Sequence, residues 1–243
     1  MVLGYICSSC GERHEGPDDL DFAKMMCMPC GDAPKATAPD MSVHTIPLET
    51  SVVALEATQA FAGLTAKEKA YAQALGKADW EGAKICLLQT SPEATPIFCL
   101  LQLVFSAQPV PALLEAAQAK GLTEDEISKV MVYAAAFYGN VGNYKSFGDT
   151  KFVPDLAPAR LELLLFAGSA DQAKVRELWE ECRERMYSLP PRQRQLGLGA
   201  TKGISTYFSA NCEDADADIA ARFLDSVGLS PYNTRLFKSS EGV

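Results

Sequence analysis

The sequence predicts a mainly α protein, a helical lobe with a few β-strands, preceded by a small zinc-ribbon-like module. Three observations carry that. Apolar residues recur at helical spacing behind two capping boxes. The best strand candidate, residues 204–209 (ISTYFS), has a β-branched and aromatic composition. Near the N-terminus, Cys7, Cys10, Cys27 and Cys30 form C-x2-C-x16-C-x2-C. The expected domains are the module at 1–35, a linker at 36–60 and the lobe at 61–243.

In the module, each C-x-x-C pair can fold two thiolates onto one side of a tight turn. Gly11 and Gly31 follow the second cysteine of each pair, where a positive φ is commonly needed. Two such turns close a tetrahedral Zn²⁺ site with Zn–S at about 2.3 Å. So short a segment has too little core to fold alone, so metal binding and folding would be coupled. Two disulfides are the rival pairing, and His14 is an alternative ligand; the repeated spacing and a cytosolic setting favour four-thiolate zinc. Such a site leaves no open position for water, so its role would be structural. The module is mildly acidic, which favours protein docking over nucleic-acid reading. Residues 32–50 are rich in Pro and Ala without periodicity and predict an extended, partly disordered linker.

In the lobe, Thr65 and Glu68 form a capping box opening a helix to about Trp80. Ser91-Pro92-Glu93 opens the next, towards Ala107, with Pro92 suited to a first turn. A helix over 111–120 ends at Gly121. Thr123 and Glu126 form the second capping box, with Ile127, Val130, Met131, Ala134 and Ala135 on one face, ending near Asn140. Residues 160–166 are a short apolar run. Residues 171–188 place Val175, Leu178, Trp179, Cys182 and Met186 at core spacing, and Pro190-Pro191 stops them. Phe152-Val153 reads as a short strand, and residues 214–227 as a last amphipathic helix.

Several function classes recede on composition. A net charge of −9 and a pI near 4.8 oppose nucleic acid and anionic membrane surfaces as partners. The most apolar stretch, residues 96–107, is too short to span a bilayer, and no signal peptide is evident at the N-terminus. The expected location is cytoplasmic. The glycines at 197, 199 and 203 match neither dinucleotide nor P-loop order. Cys86, Cys99, Cys182 and Cys212 each read as small buried hydrophobes, with exposure the alternative for Cys212 beside Asn211 and acidic residues.

The most unusual stretch is residues 142–154 (GNYKSFGDTKFVP), where Tyr144, Phe147 and Phe152 sit among glycines and charges. Connecting loops are usually small and polar, so rings held between glycines point to a shaped surface. This stretch closely resembles the dipeptidyl peptidase III family of zinc exopeptidases, which remove dipeptides from the N-termini of short peptides. The blocks LLQTSPEA (87–94), LGLG (196–199), STYFSANC (205–212) and PYNTRLFK (231–238) agree in order, and the likeness spans about residues 64–238. The resemblance implies a loop lining the lower wall of a peptide cleft, with Phe147 against a substrate side chain and Tyr144 and Asn143 shaping the loop. It also implies a β-barrel that takes in the 204–209 strand. The N-terminal module departs from the family pattern.

The family's catalytic zinc motif, His-Glu-x-x-Gly-His, is absent. The chain has two histidines, His14 and His44, and neither has a second histidine within helical reach. The expectation is therefore part of the non-catalytic lobe, inactive alone, taking short peptides only when the enzyme is completed. The alternative is a non-catalytic peptide- or protein-binding protein with a structural zinc ribbon and a partner docked through that module.

Overall fold

The protein is described here by a computed structural model, covering residues 38–51, 56–198, 204–230 and 234–239 and four short strands before residue 28. These strands form two antiparallel pairs: β1 (Gly4–Ile6) with β2 (Arg13–Glu15), and β3 (Leu20–Asp21) with β4 (Met26–Cys27). Cys7, Cys10 and Cys30 lie outside the described residues, and Cys27 is described only as backbone at the end of β4.

The remainder is mainly helical. A short helix α1 (Met41–His44) begins on an Asp40 cap, whose carboxylate accepts from Ser42 N at 3.0 Å. The expected extended linker is therefore structured at this point. Buried His44 anchors it: Nδ1 lies 2.7 Å from Lys151 O, and Val153 N donates to His44 O at 2.8 Å.

Beyond α2 (Thr58–Ala62), α3 (Ala66–Thr90) opens with the expected Thr65–Glu68 capping box and runs past Trp80. Nothing within 4 Å would meet a side chain at Gly76 or Gly82, so these glycines weaken the helix without breaking it. The helices α4 (Ala94–Ser106), α5 (Val110–Ala119), α6 (Glu124–Asn140), α7 (Pro158–Leu165) and α8 (Gln172–Tyr187) follow. The apolar run read at 160–166 is thus helix, started by Pro158 at a position where no backbone donor is needed.

The core forms where α4 lies along α8. Ile97, Leu100, Leu101 and Val104 meet the faces carrying Val175, Trp179, Cys182 and Met186, all essentially inaccessible. Trp179 buries its ring there while its Nε1 donates to Glu162 Oε1 at 2.5 Å, so the indole loses no hydrogen bond on burial. Among the described residues no helix is long and apolar enough to cross a membrane; α4 and α5 reach that length only together, bent by 94°.

After the core, β5 (Ile204–Phe208) pairs in parallel with β6 (Thr234–Leu236), and α9 (Asp214–Ser226) provides the crossover that parallel strands require. The strand read at 204–209 thus finds a partner within the chain. Phe152 and Val153 do not form a strand. Their amides bond Asn143 O and His44 O, and Pro154 has no amide to continue a ladder.

Candidate functional site

Residues 142–151 make a tight hairpin. Tyr144 and Lys151 bridge antiparallel, Lys145 N donates to Thr150 O at 2.9 Å, and Asp149 N donates to Lys145 O at 3.1 Å. The turn needs positive φ at Gly148 and Asp149 (93° and 55°), which glycine and aspartate tolerate better than branched residues. At its base, a Cβ on Gly142 would lie 2.7 Å from Thr90 Cγ2, so only glycine lets the hairpin sit against α3. Ser146 N donates to Asn140 Oδ1 at 2.7 Å and Lys145 Nζ to Val43 O at 2.9 Å, fixing the hairpin's flanks.

Phe147 stands at the tip with 96% of its surface exposed. An aromatic ring held wholly in water gains nothing from the fold and is available to a ligand. Asn143 and Tyr144 are buried beneath it. The three predicted residues therefore divide into one exposed ring and two supports. Tyr144 OH donates to Gln193 O at 2.8 Å, and burial, followed by the nearby Glu93 charge, raises its phenol pKa far above the ordinary range, which keeps it a donor.

Sequence reasoning missed the support under these residues. Glu93, at the start of α4, accepts from Lys151 Nζ at 2.7 Å and from Asn143 Nδ2 at 3.0 Å, all through Oε1. Lys151 Nζ also donates to Arg185 O at 2.8 Å in the last turn of α8, and it lies 5.9 Å from the Tyr144 ring centre. Ser91 Oγ donates to Asn143 Oδ1 at 2.8 Å. The Lys151 and Glu93 side chains are 0% and 5% exposed. The only available signal was that Glu93 and Lys151 belong to two of the unusual blocks. Nothing in either block announces a pairing across 58 residues.

An open cleft of about 720 Å³ lies alongside, lined by Arg192, Arg194, Gln195, Leu198, Glu213 and Asp214. It borders the hairpin directly, because Thr150 bridges Gln195 and Leu196 N donates to Asp149 O at 2.8 Å.

Burial and the Glu181 charge raise the Cys182 thiol to about 12, so it stays protonated. Cys182 and Cys212 are buried as expected, while Cys86 and Cys99 are exposed rather than buried. Among the described residues no three His, Cys, Asp or Glu side chains converge on a point that could hold a metal ion. His44 is committed to the Lys151 carbonyl. The described residues therefore do not fit a hydrolytic zinc.

Residues 178–243 match the profile of Peptidase family M49. The chain is 50% identical over 204 residues to "Dipeptidyl peptidase 3" of Nematostella vectensis, covering 82% of this chain and 28% of that protein. It is also 50% identical over 202 residues to the Homo sapiens protein of the same name, covering 82% of this chain and 27% of that one. For the Dictyostelium discoideum protein the identity is 45% over 198 residues, covering 82% and 28%. The chain thus spans a little over a quarter of the length of the curated relatives it matches.

Proposed function

We propose, from this similarity to about a quarter of dipeptidyl peptidase 3, that the chain forms part of a dipeptidyl-peptidase-3-like zinc metallopeptidase and supplies one wall of its peptide cleft. The observation that carries this reading is Phe147, fully presented on a hairpin pinned at its base and flanks. In this role the ring packs on an apolar substrate side chain, while Asn143 and Tyr144 hold the hairpin's shape. Hydrolysis is supplied elsewhere: with two histidines and no paired motif, the chain is inactive alone. The exposed free cysteines Cys86 and Cys99 suit a reducing, cytoplasmic setting.

The test is a chimera in which this chain replaces the matching quarter of the human relative. We expect the chimera to release dipeptides from short peptides. Phe147→Ala should raise KM about tenfold with kcat nearly unchanged, as loss of ground-state ring packing does. Unchanged kinetics would remove Phe147 from the site.

A second reading rests on the N-terminal strands. The β1–β2 pair brackets Cys7 and Cys10 in sequence, and β4 carries Cys27 just before Cys30. This order suits a structural four-cysteine zinc ribbon, through which a non-catalytic protein would dock a partner. Metal analysis of the purified chain should give one zinc, lost in the Cys7→Ser/Cys27→Ser variant. A metal-free chain would exclude the ribbon.

A further inference from the structure

The Glu93–Lys151 pair is more than a buried ion pair within the core. Its ammonium is held by three elements at once: a carboxylate at the N-terminus of α4, a carbonyl in the last turn of α8, and the face of Tyr144. Each is a favourable place for positive charge, including the helix C-terminus, where the dipole is negative. The same Glu93 oxygen takes Asn143 Nδ2, and Ser91 holds the other end of that amide. Lys151 and Tyr144 face each other across the hairpin's own bridge. The side-chain contacts of Asn143, Ser91 and Lys151 at the hairpin base therefore meet at one salt link between the α4–α8 core and the strand that carries the tip.

We infer that Lys151 and Glu93 are positioning residues: their link locks the hairpin to the core and holds Phe147 outward, ready for an apolar ligand side chain. Core packing does not need a charge here, since apolar replacement of a buried pair is often neutral for stability. What the pair adds is geometry. An ammonium with its donors committed to fixed acceptors tolerates little displacement, so the hairpin cannot fold back and cover its own ring. A ring kept in the open loses less freedom when a ligand arrives. The ligand clause rests on the peptide-cleft reading; the mechanical clause does not.

The experiment uses the full chain and compares it with the Glu93→Gln/Lys151→Met variant. This variant keeps shape and leaves an acceptor for Asn143. Amide hydrogen exchange is read at Lys145 and Asp149 in the hairpin, and at Val104 and Trp179 in the core. We expect exchange at the two hairpin amides to accelerate about tenfold or more, with core rates unchanged. Hairpin rates that stay the same, or that rise only in step with the core, would overturn the proposal. Should the double variant not fold, Glu93→Asp keeps both charges while drawing the carboxylate back from Lys151, and the same local acceleration in smaller degree is required. In the chimera, the double variant should raise KM and leave kcat. A loosened hairpin with unchanged KM would refute the peptide contact while leaving the clamp standing.

Discussion

At the residue scale, the buried pair makes a quantitative prediction. Lys151→Ala alone strands the Glu93 carboxylate among buried groups and should cost about 3–5 kcal/mol in denaturant unfolding. The neutral double variant should cost much less, so a double-mutant cycle would show strong coupling. Glu126 predicts a pH effect. The Arg160 guanidinium, 2.6 Å away, and the Thr123 amide hold its carboxyl at about 2, below the ordinary 4.5. A depressed folded pKa means the stabilisation is present above the unfolded value and lost as pH falls through the folded one. The melting temperature should therefore fall between pH about 4.5 and about 2, and Glu126→Gln should flatten that slope. Phe147→Ala should leave the melting temperature of the isolated chain unchanged, because its ring contributes no buried surface.

At the element scale, most of the fold was legible because helices announce themselves locally. The Thr65 and Thr123 capping boxes both form as read, and Trp179, Cys182 and Met186 are core. Where the reading failed, a distant contact decided. Residues 40–46 look like a linker until His44 reaches Lys151 across 107 residues. Phe152-Val153 has strand composition, but Pro154 and two single hydrogen bonds use its amides otherwise. The β5 partner, β6, lies in a block whose pairing no local pattern reveals. The element β5–α9–β6 also carries a liability. Ala217 and Ala221 of α9 are buried, while Ile219, Phe223 and Val227 recur along its exposed side, near exposed Leu229 and Phe237 in sequence. A face of this kind draws a second surface to it. The isolated chain should therefore self-associate in light scattering as concentration rises, and Phe223→Lys should shift it towards monomer. A monomer at all concentrations would contradict this.

At the scale of the whole molecule, the candidate site was half legible. Phe147 stood out because an aromatic between glycines is unusual in a loop, and the ring lies exposed at the hairpin tip. Glu93, Lys151 and Ser91 were invisible because their meaning arises only when α4, α8 and the hairpin meet. The chain's histidines are equally telling: the family's zinc motif sets two imidazoles on one helix face, and His14 and His44 belong to no such motif. The direct measurement is dipeptide release from the N-termini of short peptides by the isolated chain, with added zinc and with a chelator. The account predicts no release under either condition. Robust, chelator-sensitive release would show that these residues assemble a catalytic metal after all.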